Sequence, residues 1–157
     1  MNIFLFDPDL DVNAKYFHDK DKRRFNKQIV ESLQLFAACM KKFYGITVYK
    51  LDGTPYTVDK ILNHPACKWL LSSTKNHKWH CRYIESLLKL FPNHSCNKSY
   101  RDAVEQILTS YEIIDPEIYL CIANSDMSGL PAEATVFDKY KRHLENKHKM
   151  IQFVDNV

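Results

Sequence analysis

The stretch 21–36, "DKRRFNKQIVESLQLF", gathers Arg23, Arg24, Lys27, Gln28 and Glu31 into a short span. On a helix, Arg24, Lys27, Glu31 and Gln34 follow at three, four and three residues and share one stripe, with Arg23 one turn before Lys27 on its edge. Cations on such a stripe can neutralise phosphates, and a carboxylate among them can move a proton. The same spacing also makes an ordinary solvated face, because Lys27 and Glu31 form an i,i+4 pair worth about 0.3–0.5 kcal/mol. A second cationic segment lies far along the chain, with Lys139, Lys141, Arg142, Lys147 and Lys149. Folding that brought the two segments together would make one basic patch.

The elements that must position these side chains read as helices. Phe25, Ile29, Leu33, Phe36, Met40 and Phe43 recur at three- and four-residue spacing, so one helix buries this stripe and ends at Gly45. Before it, "NIFLF" reads as a short extended segment closed by Asp7-Pro8, and Asp9 or Asp11 caps a short helix through about His18. "ITVYKL" reads as a strand or extended piece before the turn "DGTPY", without a strong partner. Asn63 is the expected cap of a helix at "HPACKWLL", with Pro65 in its first turn. Further helices are expected from about Lys75 to Phe91, from a Ser99 cap through Ala103, Val104, Ile107, Leu108 and Tyr111, and from about Glu133 to Lys149. With 157 residues, 45% of them hydrophobic, and no repeat or low-complexity linker, the expectation is a mainly α, compact single-domain helical bundle over 1–157 with a short extended N-terminal segment.

Composition narrows the function classes. No apolar run is long enough to span a bilayer, and acidic residues follow "NIFLF" at once, so neither a membrane span nor a signal peptide is expected and the cytoplasm is the expected location. Five cysteines without a CxxC pair read as reduced thiols. His77, His80 and Cys81 form HxxHC, but no second cluster has matching spacing, so neither a metal nor a cofactor is expected. Trp69, Trp79 and Tyr83 have faces that could stack on a base, yet aromatics at helical spacing are more often core. The net charge of +3 is too small to argue for nucleic acid by itself.

Three blocks carry a resemblance. They are "MNIFLFDPDLDVNAKYFHDKDKRRFNKQIVESLQL", "HPACKWLLSSTKNHKW" and "VFDKYKRHLENKHK", together about half of the chain. Met1, Asn2, Phe4, Pro8, Asp9, Arg23, Arg24, Lys27, Gln28, Glu31, His64, Pro65 and Trp69 stand in the order of a pattern seen in small phage and bacterial pyrimidine-dimer DNA glycosylases of the endonuclease V type, which this chain resembles. Around Tyr140, Lys141, Arg142 and Lys147 it is similar to the Tyr-Arg-rich closing helix of the phage members.

The resemblance implies an all-α domain that binds duplex DNA and attacks a glycosidic bond, with an amine that forms an imine with the sugar and a carboxylate that assists proton transfer. It implies Met1 or Lys27 as the amine, Glu31 as the acid/base group, and Arg23, Arg24, Lys27, Gln28, His64, Lys141, Arg142 and Lys147 as DNA contacts. The amine must be unprotonated to add to the sugar carbon, and the carboxylate must reach the ribose oxygen. Where the family has an Arg-Glu pair, this chain reads Arg23-Arg24, which moves the carboxylate to Glu31 or Asp21. Three functions stay open: a DNA glycosylase with or without strand cleavage at the abasic site, a phage enzyme modifying an unusual base, and a DNA-binding protein without catalysis. The oligomeric state is not legible.

Overall fold

A computed structural model describes residues 3, 5–107 and 126–155, with the side chains at 136 and 147–155 left aside. It is a mainly helical bundle. Among the described residues the α-helices are α1 (Leu10–Lys20), α2 (Lys22–Tyr44), α3 (Pro65–Leu71), α4 (Thr74–Leu90), α5 (Ser95–Val104) and α6 (Val136–Asp155), with one 3-10 turn at Asp59–Ile61. Helix α2 packs on α1, α3, α4 and α5, and α4 also packs on α1 and α3.

The extended segment before α1 is tied down by one buried side chain. Asn13 Oδ1 accepts from the backbone N–H of Phe6 at 2.9 Å and of Asp7 at 3.1 Å, while its Nδ2 donates to the carbonyls of Asp7 and Asp9. These bonds satisfy backbone groups that neither helix nor sheet would satisfy there. Asp9, not Asp11, caps α1, accepting from Asp11 N at 2.9 Å and Val12 N at 3.3 Å.

A single residue joins α1 to α2. The Asp21 N–H donates to Phe17 O at 2.9 Å and so closes α1, while its Oδ1 accepts from Arg24 N at 3.1 Å and so caps α2. Asp21→Ala is therefore expected to cost about 1–2 kcal/mol, as loss of an N-cap does. Thermal denaturation checks this, and a loss of only a few tenths would mean that the corner is held by other contacts. At its far end α2 stops at Gly45, whose φ of 67° lies in the left-handed region and whose N–H returns to Lys41 O at 3.1 Å.

The expected apolar stripe is the core of α2: Phe25, Ile29, Leu33, Phe36 and Met40 are all buried, and Phe43 packs partly buried against them. Helix α4 runs antiparallel to α2, since Phe36 faces His77 (5.9 Å between ring centroids) and, further back along α2, Gln28 meets Tyr83. The end of α4 thus lies beside the start of α2. Buried side chains from Ile3 to Leu144 form one cluster, to which α6 contributes Tyr140 and Leu144.

Several boundaries differ from the sequence expectation. "ITVYKL" does find a partner, in the chain just past its own turn: Tyr49 bridges Pro55, and Lys50 N donates to Thr54 O at 2.8 Å. The cap of α3 is His64, not Asn63, and that of α5 is His94, not Ser99, which lies buried inside the helix. In both cases imidazole Nδ1 accepts the N–H two residues on, at 3.2 Å from Ala66 and 3.0 Å from Cys96, doing what a Ser or Asn oxygen does elsewhere. Leu108 and Tyr111 lie outside the described residues. Helix α6 starts at Val136 because Thr135 and Asp138 cap each other: Asp138 N donates to Thr135 Oγ1 at 3.2 Å, and Thr135 N donates to Asp138 Oδ2 at 2.9 Å.

Candidate nucleic-acid interface

The corner between α1 and α2 concentrates positive charge. Lys20, Lys22, Arg23 and Lys27 are exposed there. Asp19 is engaged by Lys15 Nζ at 2.7 Å and His18 Nδ1 at 2.9 Å, and its carboxyl is held down at about 2, first by the Lys15 hydrogen bond and then by that of His18. The carboxylates nearest the exposed cations are thus themselves paired.

Arg24 plays a different part from Arg23. Its Nη1 lies 2.5 Å from Asp21 Oδ2, and the two side chains are only 17% and 10% exposed. The guanidinium therefore braces the helix corner, and Asp21 is committed to capping and to this pair. Of the two carboxylates considered, Glu31 is the one that pairs with an exposed cation of the stripe. Its side chain is 17% exposed and Oε1 lies 3.6 Å from Nζ of Lys27, whose own side chain is 65% exposed. A sheltered carboxylate beside an accessible ammonium can exchange a proton with a bound ligand.

Other expected contacts sit elsewhere. Gln28 is buried in the core, where its Oε1 accepts from Tyr83 Oη at 2.7 Å, so it does not face a phosphate. The single-residue step from Lys27, about 100° around the helix, carries it from the polar stripe to the α4 side. His64 Nδ1 accepts from Ala66 N and caps α3, which places the ring hydrogen of the neutral imidazole on Nε2. Arg142 donates through Nη1 to Ser128 O and lies with Nε 3.5 Å from Glu145, tying the 126–130 loop to α6. Lys141 is exposed. Among the described residues α6 is not one of the helices that pack extensively on α2. Met1 and the side chain of Lys147 lie outside the described residues.

Two contacts at the corner escaped the sequence. Asn26, on the exposed face between Arg23 and Lys27, binds His94 across the bundle at 2.8 Å. Because His94 Nδ1 accepts from Cys96 N, Nε2 carries the hydrogen and donates to Asn26 Oδ1. Burial pushes the His94 pKa down, which favours this neutral form. The ring of Phe91, just past α4, meets His94 at 5.2 Å with an interplanar angle of 84°. The signal available was "PNHSC", a histidine between a proline turn and a helix start.

The aromatic and HxxHC candidates fall in the core. Trp79 stands edge-on to Trp69 at 5.6 Å and stacked on Tyr83 at 5.9 Å, and Trp79 and Tyr83 are buried. His77 Nε2 lies 3.8 Å from Cys81 Sγ, and among the described residues no three His, Cys, Asp or Glu side chains converge as a metal site. Among those residues His80 Nδ1 and Nε2 and His77 Nδ1 find no hydrogen-bond partner, although both rings are fully buried. Burial, then the charge of Lys78, pushes His77 down to about 4, and burial, then His77, pushes His80 down to about 3.

Among the described residues no helix is long and apolar enough to cross a membrane. Comparison with family models, with curated proteins and with solved structures gives no match to this chain.

Proposed function

We propose that the protein binds DNA through the start of α2 and releases a damaged or modified base by cleaving its N-glycosidic bond, in the manner of the glycosylases it resembles. The supporting observation is the division of labour along one stripe: Arg23 and Lys27 exposed toward solvent, and Glu31 sheltered one turn further with Oε1 3.6 Å from Lys27 Nζ. Arg23 and Lys27 hold phosphates as point charges and by hydrogen bonding. Glu31 handles the proton at the sugar oxygen; where strand cleavage follows at the abasic site, Lys27 first passes its ammonium proton to Glu31, and the neutral amine then adds to the open-chain aldehyde carbon of the sugar, whose oxygen leaves as water as the imine forms.

The test separates binding from chemistry. Affinity for a duplex should fall steeply with salt, and Arg23→Ala should weaken binding across sequences and reduce the salt slope by about 1. Base release from a panel of damaged and modified oligonucleotides should be lost in Glu31→Gln while affinity stays. Release at the wild-type rate in Glu31→Gln would remove Glu31 from the chemistry. Salt-dependent binding without release on any substrate would favour the non-catalytic DNA-binding function.

A further inference from the structure

We propose that Phe91 is a stacking platform for an unpaired base, so that the corner made by the start of α2 and the end of α4 takes single-stranded DNA in preference to a matched duplex, an inference that rests on assigning the start of α2 to DNA. Phe91 is 42% exposed, whereas Phe6, Phe17, Phe25 and Phe36 are 8% exposed or less. A lone exposed apolar residue is common on protein surfaces, so its exposure alone means little. Its position is what points to a ligand.

The antiparallel course of α2 and α4 delivers Phe91 to the basic corner, and a chain of two contacts fixes it there. Its ring meets His94 at 5.2 Å, and His94 Nε2 reaches Asn26 at 2.8 Å. Asn26 is the immediate neighbour of Lys27 and lies one turn after Arg23, so an aromatic face and two exposed cations share one side of the molecule. Among the described residues no ring lies parallel on Phe91, since its one ring contact is near-perpendicular. Asp11, on α1, is paired with Lys89 Nζ of the last turn of α4 at 3.0 Å. Other exposed apolar side chains, Tyr49 and Leu51, sit on the turn after α2 and border a cleft lined by α5 residues, away from the corner.

Aromatic faces beside backbone-binding cations are how proteins hold single strands, because every unpaired base offers a π-face and a duplex hides it. The phosphates on either side of the stacked base then fall to Arg23 and Lys27. The His94–Asn26 bond keeps the platform at a set distance from those cations.

Fluorescence anisotropy with a labelled single strand and the matched duplex of equal length decides the matter. The wild type should bind the single strand more tightly; Phe91→Ala should weaken single-strand binding about tenfold and duplex binding by less than about twofold, with the salt slope unchanged. Phe91→Trp, which keeps a π-face, should retain the preference. Phe91→Leu, which keeps apolar bulk and removes the π-face, should lose it and serves if the alanine variant fails to fold. Duplex binding as tight as single-strand binding, or an unchanged single-strand affinity in Phe91→Ala and Phe91→Leu, overturns the role of Phe91 and leaves DNA binding by α2 standing. If neither form of DNA binds, both assignments fall together.

Discussion

Phe36→Ala is expected to destabilise the protein by about 3–5 kcal/mol, the range for truncating a fully buried phenylalanine. Phe36 has no exposed surface, and its ring contacts Tyr100 at 5.0 Å and His77 at 5.9 Å, so it joins α2 to α5 and α4 at once. The residues around it cannot close the gap readily. Tyr100 is held by hydrogen bonds from its Oη to Glu85 Oε1 at 2.9 Å and Cys81 O at 3.3 Å, and collapsing into the space would break them. For a domain of this size the midpoint of thermal unfolding should fall by roughly 6–20 °C. Val30, 37% exposed on the other face of the same helix, supplies the control, since surface truncations stay within about 0.5 kcal/mol. A loss below about 1 kcal/mol for Phe36→Ala would mean that the α2–α4–α5 junction is not tightly packed.

The second large effect is on acid stability. His77 and His80 titrate at about 4 and about 3 in the folded protein against 6.5 for an ordinary histidine. Between these values the unfolded chain takes up protons that the buried rings refuse, so stability rises with pH across the window. The contribution is fully present above pH 6.5 and is lost as pH falls toward 4 and then 3. Each histidine should cost about 1.4 kcal/mol per pH unit within the window, so the pair should remove roughly 2–3 kcal/mol between pH 6 and 5. Asp19 acts only between 3.8 and about 2, below that interval, whereas His94, also pushed down by burial, adds to the slope in the same direction. Urea midpoints at pH 7, 6 and 5 check this, with His80→Phe expected to remove about half of the slope. Equal midpoints for the wild type at pH 7 and 5 would show that these rings are not held neutral.

Much of the fold was legible because periodic burial and helix-ending residues are local signals. The stripe from Phe25 to Met40 and the left-handed turn at Gly45 follow from spacing and from the lack of a Cβ at one position. The start of α3 at Pro65 was legible, but the caps His64 and His94 were not, because imidazole is a rare cap and Asn63 and Ser99, better formers by type, stood nearby. At the site, the Arg24 and Gln28 positions show the limit. Both belong to a cationic, polar run, yet Asp21 takes the one and Tyr83 the other, and each partner is visible only when neighbouring turns or helices are in place. Asn26 with His94 is the same lesson across 68 positions of sequence.

Asp21 leaves no slack between α1 and α2. Because one residue both closes the first helix and opens the second, the two cannot rotate about their axes independently, and the face on which Arg23 and Lys27 stand is referenced to Phe17 in the core. An inserted residue at this joint would turn α1 by about 100° relative to α2, one step of a 3.6-residue helix. Either Phe17 would leave the core or the cations would swing away from Phe91. The aim of the cations is thus a matter of chain length at one position, while Phe91 is placed separately by the turn that leads to His94.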